Sequence, residues 1–266
     1  MTARPLTLTK HHGLGNDFLV LLDLDADTDV DGDLARAVCD RTTGVGADGL
    51  IRARPGPDGA DVTMELWNSD GSTAELSGNG LRCLGQALVL ADVTGAELTV
   101  ATARGSHALR VSATDRPGLH DVVADMGAVE LEGRAGDWLL PGVVDAAFAR
   151  IENPHLVLLA PEPGTAPDLD EVGRAANAAV DGGINVEIIR VSGNDLVLDV
   201  FERGAGRTQA CGTGACAAAA VAHDWGLVGT EVVVRMPGGD ARIGLGDSVS
   251  LAGPIVAVAR VEYPWP

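Results

Sequence analysis

The chain has 266 residues, 46% hydrophobic and 3% aromatic, with a formal net charge of −19. So acidic a surface repels phosphate, which argues against nucleic acid and anionic membranes as partners and leaves a small zwitterion acceptable. Lys10 is the only lysine, so a pyridoxal phosphate Schiff base has one candidate and a Walker A loop has none.

The chain reads as mostly short strands. In the first half, a short N-terminal strand ending at Lys10 is followed by Asp17–Leu22, Asp61–Trp67, Glu97–Ala101, His107–Ser112 and Asp121–Asp125. In the second half come His155–Ala160, Asn185–Val191, Asp195–Phe201, Glu231–Met236, Ala241–Leu245 and Ile255–Arg260. They are rich in Val, Leu and Ile and bounded by Gly, Pro and Asp. Alternation such as Asp195-Leu-Val-Leu-Asp-Val suits mostly antiparallel sheets with one buried face. Helical patterns cover Asp33–Asp40, Leu81–Asp92, Asp168–Asp181 with Asp168 as N-cap, and Ala215–Trp225. The last is nearly all alanine and must be surrounded, as by a sheet curled around it.

A repeat organises the whole. Ser77-Gly-Asn-Gly, opening one apolar helix, matches Cys211-Gly-Thr-Gly, opening another 134 residues later, about half the chain. This predicts an α/β chain of the α+β type with two equivalent halves, 1–117 and 118–254, meeting near residues 113–120.

Other motifs read as structure. Asp27–Asp33 resembles the start of a calcium loop, but its twelfth position is Val38, so it reads as a solvated acidic loop. Gly44-Val-Gly-Ala-Asp-Gly49 fits a dinucleotide fingerprint, yet it reads as loop into strand. His11 and His12 are adjacent and point to opposite faces of a strand. Cys39, Cys83, Cys211 and Cys216 show no Cys-x-x-Cys spacing, so neither a metal nor any cofactor is expected. The first ten residues lack a secretory signal, and Ala215 to Ala222 falls far short of the roughly 20 residues of a membrane span. A cytoplasmic protein with reduced thiols is expected.

The two turns carry the chemistry. A glycine-rich turn at a helix N-terminus presents free N–H groups and partial positive charge, and so binds a carboxylate. The same field is expected to lower the pKa of Cys211 and make it a usable base. Two such turns sharing one small acid would remove a proton from one face of an α-carbon and deliver one to the other. Asn16, Asn68, Asn153 and Asn185 beside strands, with Glu202 and Arg203, suit the ammonium and carboxylate of a zwitterion.

These residues resemble the diaminopimelate epimerase family. His12-Gly-Leu-Gly-Asn-Asp-Phe, Trp67-Asn-Ser-Asp-Gly-Ser, Gly78-Asn-Gly, Asn153-Pro-His, Gly183-Ile-Asn-Val, Glu202-Arg-Gly and Ala210-Cys-Gly-Thr-Gly-Ala carry the resemblance across nearly the whole chain. It implies two pseudo-symmetric domains, each a sheet around a central helix, with the last strand (255–266) returning to the first domain. It also implies a pyridoxal-independent isomerase of lysine and peptidoglycan precursor biosynthesis, interconverting LL- and meso-diaminopimelate as a homodimer. Asn16, Asn68, Asn153, Asn185, Glu202 and Arg203 would bind the substrate's invariant end, and Gly78, Asn79, Gly212 and Thr213 its reacting carboxylate. The catalytic set would be Cys211, Ser77, His155 and Glu202. Ser77 departs from the family, whose first catalytic cysteine falls there; a hydroxyl needs a helper, and His155 is the expected relay. Alternatives are an epimerase or dehydratase of this fold on another amino acid, and a non-catalytic amino-acid-binding homologue.

Overall fold

A computed structural model describes residues 5–162 and 164–265. The chain divides into two compact units, Met1–Ala124 with Gly253–Pro266, and Asp125–Ala252.

The first unit contains β1 (Leu6–Gly13), β2 (Asn16–Leu22), α1 (Gly32–Cys39), β3 (Gly49–Pro55), β4 (Val62–Asn68), β5 (Thr73–Ala74), α2 (Gly78–Leu90), β6 (Glu97–Thr102), β7 (Gly105–Ala113) and β8 (Leu119–Asp125). Leu14 and Gly15, both at positive φ, turn β1 into β2. β2 runs parallel to β3, β3 antiparallel to β4, and β4 parallel to β6, after which β7 and β8 follow antiparallel. The last strand, β17 (Val249–Tyr263), pairs with both β8 and β1, so the strands of this unit close around α2. The helix is buried from Gly78 to Leu88. Its close fit rests on Gly85, where a Cβ would stand 2.8 Å from Leu109.

The second unit repeats the order: β9 (Glu130–Arg134), β10 (Asp145–Ile151), β11 (Asn153–Leu159), α3 (Leu169–Ala179), β12 (Asn185–Ser192), β13 (Asp195–Glu202), β14 (Gly206–Thr208), α4 (Gly212–Asp224), β15 (Glu231–Met236) and β16 (Gly239–Leu245). β11 is parallel to β12 and β13 parallel to β15, as β2 is to β3 and β4 to β6. Val62 pairs with Val100 and Leu196 with Val234, an offset of 134 residues at both positions, the separation of Ser77 from Cys211. α4 is buried from Gly212 to Ala219 and again at Val221 and Ala222. A helix so rich in alanine has little polar face to show water, so strands pack on its several sides.

The units divide at 124/125 and 252/253, near the expected 117/118 and 254/255, and β8 pairs with β7. α2 and α4 begin at Gly78 and Gly212, earlier than their apolar patterns, because the glycines are themselves the first helical turn. β9 and β10 carry no clear strand signal in the sequence. β9 is exposed throughout and is held by its pairing with β10.

Candidate active site

Within each unit, the expected site residues lie at the start of a strand, the end of another, or the first turn of the central helix. Ser77 is the N-cap of α2 and accepts a hydrogen bond from Gly80 N–H at 3.1 Å. Asn79 reaches Asn16, whose own amide donates to Asp48 at 2.7 Å. Arg82, fully buried, donates to Asn79 Oδ1 at 2.5 Å and to the Gly78 carbonyl at 3.3 Å. The Ser77 turn is therefore held from below by a cation. Asn68, at the end of β4, is exposed and donates to Ser72 at 3.0 Å.

The Cys211 turn has the same backbone and a different charge. Cys211 is the N-cap of α4; its sulfur accepts from Gly214 N–H at 3.3 Å and lies 3.4 Å from the Thr213 hydroxyl. The Glu202 carboxyl lies close enough for its charge to act on the thiol. Glu202 also accepts from Thr208 at 2.6 Å. Beneath them His155, on β11, is fully buried, with one ring nitrogen 2.7 Å from Glu187 and the other 2.9 Å from Asn153. Asn185 accepts from the Arg203 N–H at 2.7 Å, and the Arg203 guanidinium donates to the Gly182 carbonyl at 3.2 Å.

One sequence expectation fails here. Burial, followed by the charges of Glu202 and Glu187, pushes the Cys211 thiol well above its ordinary value; the hydrogen bonds from Thr213 and Gly214 oppose this and are outweighed. Cys211 rests as a thiol, not as a preformed thiolate. Burial likewise raises Glu202 above its ordinary value, against the hydrogen bonds from Thr208 and Cys211 and with help from Glu187. Both ring nitrogens of His155 are engaged inside its own unit.

Sequence reading missed Asp48, Arg82, Glu187 and Thr208. Only Glu187 left a clear trace, as the sole acid in the apolar strand Asn185–Val191. Among the described residues no helix is long and apolar enough to cross a membrane.

The family model described as diaminopimelate epimerase matches residues 8–132 and 148–254. The chain belongs to the diaminopimelate epimerase family. It is 36% identical to the diaminopimelate epimerase of Sphingopyxis alaskensis (strain DSM 13593 / LMG 18877 / RB2256), over 97% of each chain. It is also 36% identical to that of Mycolicibacterium smegmatis (strain ATCC 700084 / mc(2)155), covering 97% of this chain and 96% of the relative. The fold is shared with the structure of a predicted epimerase from Pseudomonas aeruginosa at TM-score 0.78, 17% identity, and coverage of 98% and 100%. Membership makes the chain an enzyme of the isomerase class.

Proposed function

We propose that this chain interconverts LL- and meso-diaminopimelate by proton transfer at one α-carbon, without a cofactor. The observation that carries the reading is the Cys211 thiol capping a helix N-terminus under the influence of the Glu202 and Glu187 carboxyls, in a unit whose twin carries Ser77 at the same cap.

The resting state sets the order of events. As a thiol, Cys211 donates: its S–H bond breaks, the proton goes to the α-carbanion, and the thiolate formed is held by the Gly214 N–H and the Thr213 hydroxyl. In the other direction the thiol first passes its proton to Glu202, whose raised proton affinity suits it as acceptor. The thiolate then takes the α-proton, and the electron pair left on carbon spreads into the neighbouring carboxylate. The free N–H groups at the first turns of α2 and α4 are suited to the negative charge that develops there, and one such donor is worth roughly 10²–10³ in rate. Ser77 handles the proton on the other face: in giving, its O–H proton goes to the carbanion and water reprotonates the alkoxide; in taking, its hydroxyl proton passes to water as the α-proton arrives on oxygen.

Asn16, Asn68, Asn153, Asn185, Glu202 and Arg203 hold the end of the substrate that does not react, and Gly78, Asn79, Gly212 and Thr213 the end that does. Pyridoxal-independent chemistry is supported by Lys10, whose ammonium is taken by Asp17 at 2.8 Å and the Gly46 carbonyl at 2.6 Å. A cytoplasmic homodimer completes the reading, and light scattering at several concentrations tests the assembly.

Ser77 favours a second reading, in which the chain acts on another amino acid by a reaction that needs one strong proton-handling group. Incubation with LL- and meso-diaminopimelate in D₂O separates the two. Deuterium at the α-carbon of both isomers is expected. Exchange with no inversion supports the one-group reading, and binding with no exchange of any amino acid overturns both in favour of a binding protein.

A further inference from the structure

The two units differ in what lies under the helix N-terminus. In the first, a Cβ on Gly80 would meet Ile51 Cδ1 at 3.2 Å. In the second, a Cβ on Gly214 would meet Glu187 Oε1 at 2.5 Å. Ile51 and Glu187 occupy matching places: Val20 of β2 pairs with Ile51 as Val157 of β11 pairs with Glu187. Two residues earlier on β2 and β11, Phe18 likewise stands where His155 does. An apolar pair in one unit is thus a buried carboxylate and imidazole in the other. Glu187 is fully buried; its Oε1 is bound by His155, while its Oε2 has no hydrogen-bond partner. A buried carboxylate oxygen with no partner costs stability, and packing does not demand it, since Phe18 and Ile51 stand in the matching places of the first unit.

We propose that Glu187 is a positioning residue that keeps Cys211 a thiol, by presenting a buried carboxylate to the first turn of α4 and orienting His155 beside it. The inference rests on Cys211 being the proton-handling residue of the reading above. Among the described residues, the charged groups that act on the thiol are Glu202 from β13 and Glu187 from β12, with His155 from β11 acting on Glu202. The other titratable side chains on the strands against α4 are exposed or half-buried. A negative charge under the thiol discourages a premature thiolate, so the turn meets its substrate with a proton to give. It also makes Glu202, rather than bulk water, the place where that proton goes.

The test is the pH profile of Cys211 alkylation by iodoacetamide in the full chain, read on the Cys211 peptide by mass spectrometry, with Cys211→Ala as the blank. Glu187→Gln keeps shape and removes charge; its midpoint is expected to fall by about one pH unit. Glu187→Asp keeps the charge and is expected to stay near wild type. Because the Gln variant disturbs a buried site, His155→Phe with Glu187→Ile, copying the first unit, serves as a second construction with the same downward shift expected. Midpoints unchanged in both charge-removing variants overturn the proposal. The readout needs no turnover, so its failure leaves the epimerase reading standing, and failed isotope exchange with shifted midpoints leaves the control of the thiol by Glu187 without its catalytic purpose.

Discussion

Glu187 Oε1 lies 2.5 Å from the point at which a side chain on Gly214 would begin, and His155 holds that oxygen in place. A methyl group there cannot be accommodated by a small swing of the carboxylate. Gly214→Ala is expected to cost about 1–3 kcal/mol. Gly80→Ala meets the free end of Ile51 at 3.2 Å and should cost less than about 1 kcal/mol. Urea midpoints of the two variants check the contrast; equal losses would mean that the hydrogen-bonded Glu187–His155 pair does not constrain the turn.

Ser77 caps α2 and also occupies a proton-transfer position. Ser77→Ala removes the acceptor for Gly80 N–H and should cost about 1 kcal/mol in stability along with inversion activity. Ser77→Cys keeps a capping atom, as Cys211 shows in its own unit, and supplies a far stronger acid. Its α-proton exchange in D₂O should rise at least about tenfold with an altered pH dependence. An unchanged rate and profile would sink the role assigned to Ser77.

Alkali should destabilise the protein through its buried thiols. Burial pushes Cys39 and Cys83 up to about 12 from an ordinary 9.0, and Cys211 rises as well. A raised folded-state value means that the stability is complete below about 9 and lost as pH climbs through the folded value. Each such group removes about 1.4 kcal/mol per pH unit in that window. Cys83→Ala should therefore flatten the fall of the urea midpoint between pH 9 and 11; a slope equal to wild type would contradict this.

The acid limb runs through Asp23. Burial raises its carboxyl, but hydrogen bonds from Arg52 and Thr28 and the Arg52 charge prevail and hold it below its ordinary 3.8. Arg52 donates to it twice, at 2.7 and 2.5 Å, and the pair is largely out of water. With a lowered folded-state value, its stability is present above the ordinary value and lost as pH falls through the folded one. Asp23→Asn should cost about 3 kcal/mol at neutral pH, because a buried guanidinium loses its counter-charge, and should flatten the acid dependence of the melting temperature. A loss well under 1 kcal/mol would show that Glu65 and the Thr28 carbonyl suffice for Arg52.

Much of the molecule was legible because its rules are local or periodic. Strands such as Asp195–Glu202 declare themselves by alternation, α3 by Asp168, and the half-chain repeat by two glycine turns. What stayed hidden depends on neighbours that only folding supplies. The helix N-terminus at Cys211 argued for a lowered pKa, and nothing local revealed that Glu202 and Glu187 would stand beside the thiol in a dry site. His155 matched its motif, but the partners of its two nitrogens come from β11 and β12 together. Asp48 was hidden inside a glycine motif read as a plain loop, though it fixes both the Asn16 amide and the Asp17 N–H.

β17 belongs to both units: its first residues complete the ladder with β16, and its later ones fill the gap between β8 and β1. The second unit is continuous in sequence, whereas the first is interrupted by 128 residues. During vectorial synthesis the half translated first must therefore wait for the segment translated last, leaving two open strand edges on the ribosome meanwhile. The order of birth and the order of completion are reversed, and a nascent chain stalled before Gly253 would present a finished second unit tethered to an unfinished first.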